Sequence, residues 1–322
     1  MRFLAHLSRD YQRKKAQKCY NSVTTKRDVI AKGKRGSTMK ACNYGQLCYT
    51  DGNKITQLMA ERIPVRNPNE INKLRRAGEV SARILTDLMP IIKPGITTKE
   101  IDDYAAELFR REKCGNAFLG YAGYPGQLCI SVNEEIVHGI GGSRVIRDGD
   151  IVSLDAGAIV DGWYGDNAMT VAVGNVSEEA RRLLAVTEEA LFRGIAEARQ
   201  GNSLIEVCGA IEDFVKPYGF GIVRDYVGHG VGRKLHEEPQ IPNYRPKYPL
   251  PRLKRGMILA IEPMITLGSF RVKVLEDDWT AVTADGSWAA HFEHMVAVGP
   301  HGGEILTERP RIALPEQLGI TL

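Results

Sequence analysis

Apolar positions along the chain follow two periods, and the changes between them mark the elements. From Asn67 onward, Ile71, Leu74, Ala77, Ile84, Leu85 and Leu88 keep roughly one face of a helix. Asn67 can cap its start, Pro68 takes the first helical position and Glu70 reaches back as in a capping box; Pro90 and Lys93-Pro94-Gly95 end it. A second box, Thr97-Thr98-Lys99-Glu100, opens a helix whose stripe is Ile101, Tyr104, Ala105, Leu108 and Phe109. The period then falls to two. GDIVSLDAGAIVDGWYGD, residues 149–166, reads as two strands joined at Asp161-Gly162, because an Asp-Gly pair supplies the positive φ angles of a two-residue hairpin loop. That loop sets Asp155 opposite Ala168 and leaves Asp166 one diagonal step away on the same face.

The helical pattern returns 106 residues later. Gly201, Ser203 and Glu206 stand for Gly95, Thr97 and Glu100, with Val207, Ala210, Ile211, Phe214 and Val215 as the stripe. At an offset of 107, Gly256 matches Gly149 and Glu262 matches Asp155, so GMILAIEPM repeats GDIVSLDAG as an acid-bearing strand. Two copies are too few for a solenoid. They predict an α/β (α+β) domain of two pseudo-symmetric halves, with inward acids on the sheet and paired helices over it.

Composition narrows the class. With 43% hydrophobic and 25% charged residues, the chain of 322 reads as soluble and globular. No apolar run approaches the ~20 residues of a membrane helix, and no signal-peptide pattern opens it. Cys19, Cys42, Cys48, Cys114, Cys129 and Cys208 form no Cys-x-x-Cys pair, which suits reduced thiols in the cytoplasm. The net charge of +4 is unevenly spread: twelve Lys or Arg against Asp10 and Asp28 give the first forty residues +10, leaving −6 for the rest. Residues 1–64 are therefore read as a basic, disordered extension and 65–322 as the folded domain. A nucleic-acid-binding arm, a transit peptide, or a start at Met39 or Met59 fits the same composition.

Two carboxylates in one pocket repel unless a cation lies between them. FLGYAGYPGQLCISVNEEIVHGIGG, residues 118–142, places His138 before a glycine turn, and YVGHGVGRKLHEEP, residues 226–239, sets His229 and His236 seven apart among glycines that make a helix improbable. Each of these histidines is expected to be aimed separately. Asp155, Asp166, His229, Glu262 and Glu293, the last in the β-rich HFEHMVAV, compose a mostly oxygen donor set of charge −4. Two divalent ions of the Mn, Fe, Co or Zn kind would balance it and serve amide hydrolysis.

The strings IVSLDAG, DGWYGDNA, GHGVGRKLHEEP, LAIEPM and HFEHMVAV, in this order, resemble type I methionine aminopeptidases over about residues 66–308. The resemblance implies the pita-bread fold, a central antiparallel sheet covered by helices, and removal of the initiator methionine from nascent proteins whose second residue is small. It implies a dinuclear centre with Asp155 and Glu293 near one ion, His229 and Glu262 at the other, and Asp166 with Glu293 bridging. Glu262 resembles the acid that shuttles the proton of the attacking water, His236 the donor to the scissile carbonyl, and His138 the partner of the amide nitrogen or adjacent backbone. The methionine pocket maps onto Phe118, Tyr121, Tyr124, Cys129, Leu235 and Trp279; the family's frequent Cys at 118 and aromatic at 235 are replaced here. Only 25 residues separate His236 from Glu262, too few for the helical insertion of type II enzymes. The partners implied are peptide N-termini, with a basic arm suited to ribosomal RNA and a monomeric, membrane-free enzyme. A proline-specific aminopeptidase would carry a larger N-terminal domain, and a non-catalytic relative would have lost ligands.

Overall fold

The computed structural model describes residues 62–312 in full, together with the backbone of three strands before them. Those strands, β1 (Thr38–Cys42), β2 (Gln46–Asp51) and β3 (Lys54–Gln57), form an antiparallel sheet of their own, within the stretch that the sequence suggests is disordered. The rest of that expectation lies outside the described residues. The chain divides into two units, Met1–Arg62 and Ile63–Leu322.

In the larger unit the local signals become elements as anticipated. Helix α1 (Pro68–Leu88) starts at Asn67 with a complete capping box to Glu70, and α2 (Thr98–Glu112) at Thr97 with one to Glu100. Strands β4 (Gly115–Asn116), β5 (Cys129–Val132) and β6 (Glu135–Val137) precede the long hairpin of β7 (Ile151–Val160) and β8 (Trp163–Ala172). Asp161 and Gly162 take φ of 51° and 73° in its loop, and Asp155 pairs with Ala168, so the register is the one that the Asp-Gly turn dictates.

Helices α3 (Glu178–Glu197) and α4 (Leu204–Val215) open the second half. Short strands β9 (Gly221–Ile222), β10 (Gly228–Gly230), β11 (Glu237–Ile241), β12 (Ile258–Ile261), β13 (Met264–Thr266), β14 (Val272–Val274), β15 (Ala281–Thr283), β16 (Ala289–His291), β17 (Glu293–Val298) and β18 (Gly303–Ile305) complete it. The main sheet is antiparallel in the order β11-β10-β12-β17-β8-β7-β4, with β18 on β17 and β5 on β7.

The internal repeat survives to the level of single dihedral angles. Gly95 and Gly201 have φ of 96° and 93°, Gly149 and Gly256 of 93° and 88°. Each helix pair is tied to its own half alike: Gly95 N–H donates to Ile146 O at 2.8 Å, and Gly201 N–H to Leu253 O at 3.0 Å.

Packing of α1 on the hairpin positions the acids. Val152, Leu154, Ala156 and Ala158 of β7 join Ile84, Leu85, Leu88 and the α2 stripe in the principal core, leaving Asp155 on the other face. The helix comes close enough that a Cβ on Gly165 would lie 2.2 Å from Ala77 O. Buried Ser81 donates its hydroxyl to Ala156 O at 2.6 Å, so its own polar atom is satisfied at this contact. Among the described residues no helix is long and apolar enough to cross a membrane.

Candidate metal centre and peptide pocket

Three strand systems converge on one buried cluster. The β7–β8 hairpin supplies Asp155 and Asp166, β10 supplies His229, and Glu262 and Glu293 come from the end of β12 and the start of β17. One ligand atom each from Asp166, His229 and Glu293 lies within 4.8 Å of the others. His229 Nε2 stands 3.5 Å from Glu262 Oε1 and 3.6 Å from Asp166 Oδ2.

His229 Nδ1 faces Gly230 O at 2.9 Å, and a carbonyl can only accept, so Nδ1 carries the proton. Burial holds the ring's pKa down to about 3, so the imidazole is neutral and Nε2 is a lone pair. A lone pair aimed at two carboxylates is unfavourable unless a cation or a proton lies among them. The carboxyl groups tell the same story. Asp155 Oδ1, Asp166 Oδ1 and Glu293 Oε1 are buried without a hydrogen-bond partner. Burial, then repulsion from neighbouring acids, holds Asp155, Glu262 and Glu293 well above the usual carboxylate range, and burial lifts Asp166 to about 7. A divalent cation relieves each of these costs at once. The donor set therefore fits one.

Phe118, Tyr124, Cys129 and Leu235 are buried in a single cluster against which Trp279 packs, beside Ile140, Ile159 and Tyr164. Cys129 pairs with Asp155 across β5 and β7, which sets the apolar pocket directly beside the acids. Burial pushes the Cys129 thiol well up, so it lines the pocket as a neutral group. The Tyr124 ring meets Trp279 edge-on at 5.1 Å, and its hydroxyl donates to Gly139 O at 2.7 Å.

Tyr121, which is 43% exposed, stands at the rim, its Oη 2.7 Å from His236 Nδ1. His138 takes a φ of 62°, and its ring is held edge-on to Tyr226 at 5.2 Å, with Trp279 at 6.5 Å. Burial lowers its pKa to about 4, so it too is neutral. His229 and His236 are not aimed apart: β10 and β11 pair Gly230 with Glu237, and the two rings meet edge-on at 4.3 Å. Seven residues of spacing become neighbours because the hairpin, not a helix, folds them together.

Sequence reasoning passed over His291. Its Nε2 is buried without a hydrogen-bond partner, 3.6 Å from Glu262 Oε2, and burial lowers its pKa to about 3. The spacing of two from Glu293 was the available signal. Asn243, which donates to Glu262 O at 3.0 Å, and Tyr226 had none.

A family profile described as Metallopeptidase family M24 matches residues 72–300. Methionine aminopeptidase 1 of Bacillus subtilis (strain 168) is 50% identical over 245 residues, spanning 76% of this chain and 99% of the relative. The methionine aminopeptidase of Borreliella burgdorferi is 47% identical over 238 residues, 74% of this chain and 95% of that one. Among solved structures, methionine aminopeptidase from Thermotoga maritima matches with a TM-score of 0.75 at 45% identity, over 77% of this chain and 100% of that one. X-Pro aminopeptidase from the same organism, at 24% identity, shares the fold with a TM-score of 0.61, over 77% of this chain and 63% of that one.

Proposed function

The chain belongs to metallopeptidase family M24, as a type I methionine aminopeptidase of pita-bread fold, and we propose that it frees the initiator methionine from nascent chains with a small second residue. It is a metal-dependent aminopeptidase. In this reading Asp155, Asp166, His229, Glu262 and Glu293 would hold two divalent ions. The observation that carries it is the His229 Nε2 lone pair facing Asp166 and Glu262 among orphaned carboxylate oxygens. Bound there, divalent ions supply Lewis acidity to the scissile carbonyl and make water nucleophilic near neutral pH.

The chain's own groups do the rest. Phe118, Tyr121, Tyr124, Cys129, Leu235 and Trp279 take the thioether side chain, which aromatic edges and a neutral thiol suit. Tyr121 stays a phenol, its pKa raised by burial, and in this reading its O–H donates to His236 Nδ1. Burial also keeps His236 neutral, which leaves its proton on Nε2, free to donate to the oxyanion that develops on the carbonyl. His138 holds the amide nitrogen or adjacent backbone. Glu262 accepts a proton from the attacking water and delivers it to the leaving amine as the C–N bond breaks, yielding methionine and a new N-terminus. The enzyme acts as a monomer in the cytoplasm, where such chains emerge.

The test is turnover of Met-Ala, Met-Leu and Ala-Pro peptides with Mn²⁺, Fe²⁺, Co²⁺ or Zn²⁺ added to the chelated protein. Met-Ala should be cleaved fastest and only with metal. Preference for Ala-Pro would replace this reading with a proline-specific one.

A further inference from the structure

The loop carrying Leu235 and His236 is closed by the Gly230–Glu237 pair, and part of what fixes it lies 171 residues away. Glu237 turns its carboxylate back across the loop, where Oε1 accepts the N–H of Arg233 at 2.8 Å and of Lys234 at 3.3 Å. Oε2 takes the guanidinium of Arg66 at 2.5 Å, in a pair whose side chains are only 13% and 9% exposed. Arg66 is itself held from three sides. Its N–H donates to Gly256 O at 2.7 Å, and its guanidinium lies 5.4 Å from the centre of the Trp163 ring, which also carries Arg233 at 3.9 Å. Gly232 makes room for it, since a Cβ there would lie 2.3 Å from Arg66 Nη2. Gly232 O in turn accepts Tyr164 N–H at 3.0 Å, tying the loop to the strand that bears Asp166.

We propose that Arg66 is a positioning residue of the aminopeptidase: through Glu237 it fixes the 231–236 loop, so that Leu235 closes the methionine pocket and His236 meets the scissile carbonyl. This rests on the function proposed above. Removing one member of a shielded ion pair leaves the other without its counter-charge, and the loop then loses the tie that spans it. A guanidinium can stack on Trp163 and bond Glu237 together, which an ammonium does less well. Lysine should therefore restore only part of the effect.

The experiment uses the full-length, metal-loaded chain with Met-Ala peptides. Arg66→Met should lower kcat/KM by about ten- to a hundred-fold, the scale at which a displacement of ~1 Å acts on a reacting geometry. Both kcat and KM should move, while metal content stays that of the parent. Arg66→Lys should fall between them. Glu237→Gln keeps acceptors for the two backbone donors and removes only the charge pair, so it should reproduce Arg66→Met and serves if that variant folds poorly. In a His236→Ala background the kcat effect of Arg66→Met should shrink to less than about two-fold, because the groups act in series; a merely structural residue would keep its full effect there. Parental kcat and KM in Arg66→Met or Glu237→Gln, or an undiminished effect in the His236→Ala background, overturns the proposal. Failure of the unaltered chain to cleave Met-Ala would instead overturn the function on which it rests.

Discussion

The phenol of Tyr121 stands 2.7 Å from Nδ1 of His236, joining the rim of the pocket to the loop that follows His229. With the phenol as donor in this contact, the proton of His236 sits on Nε2. Tyr121→Phe should leave the pocket wall in place but free the ring to change tautomer. Losing one hydrogen bond of ~1 kcal/mol, with the tautomer it selects, should lower kcat about ten-fold. KM and metal content should hardly change. Steady-state kinetics beside metal analysis checks this, and a change confined to KM would assign the phenol to substrate binding.

Glu262 lies between two neutral imidazoles, 3.5 Å from His229 Nε2 and 3.6 Å from His291 Nε2. Glu262→Gln preserves shape and removes the proton carrier, so turnover should fall by about 10²–10⁴-fold or more. Metal titration of the variant separates lost proton transfer from lost metal. Near-normal turnover would sink the role given to Glu262.

The readable parts of this chain were those whose causes are local. Asp161-Gly162 fixes the β7–β8 register through two positive φ angles, and with it the shared face of Asp155 and Asp166. Asn67 and Thr97 announce their helices through boxes that close within four residues. Comparing Gly149 with Gly256 exposed the repeat because both need the same left-handed backbone. What stayed hidden depends on partners far apart in sequence. His291 in a β-rich run looks like any buried strand residue until Glu262 is set against its Nε2. Arg66, two residues inside the expected folded domain, looks like an ordinary surface arginine until Glu237 is folded onto it. The approach of His229 to His236 needed the β10–β11 hairpin, which the glycines obscured by offering several turns.

Chelation should make stability fall as pH rises through neutrality. Burial, with repulsion among the acids, raises the carboxyl pKa values of the cluster, Asp166 to about 7. The metal-free native state then binds more protons than the unfolded chain, so the stability present below the ordinary carboxylate range is lost as pH climbs through the folded values. The histidines act with opposite sign: His229 and His291 at about 3, and His138 at about 4, cost stability as pH drops below 6.5. Above 6.5 they are mostly neutral in both states, and the acids set the slope, with Asp166 alone contributing on the order of 1 kcal/mol between pH 6.5 and 8. Calorimetry between pH 6.5 and 8 should show a falling midpoint with chelator and a level one with Mn²⁺ or Co²⁺. A chelated protein whose midpoint rises over that range would contradict this electrostatic account.

The basic arm should be separable from the catalytic unit. Twelve Lys or Arg fall in the first forty residues, whereas the candidate catalytic and pocket residues all lie at or beyond Phe118. A chain begun at Met59 retains the whole of the Ile63–Leu322 unit, including Arg66 and its bond to Glu237. It should cleave Met-Ala peptides within about two-fold of the full chain, since the removed stretch carries none of the candidate site residues. A chain begun at Asn67 lacks the guanidinium and should lose activity as Arg66→Met does, so the boundary of function falls between two starts eight residues apart. If the arm tethers the enzyme to ribosomal RNA, only the full chain should co-sediment with ribosomes, and its affinity should drop by orders of magnitude between about 50 and 200 mM salt as phosphate contacts release counterions. Equal co-sedimentation of the full and Met59 chains would remove the tether. Loss of peptide cleavage at the Met59 start would show instead that residues before it support the catalytic unit.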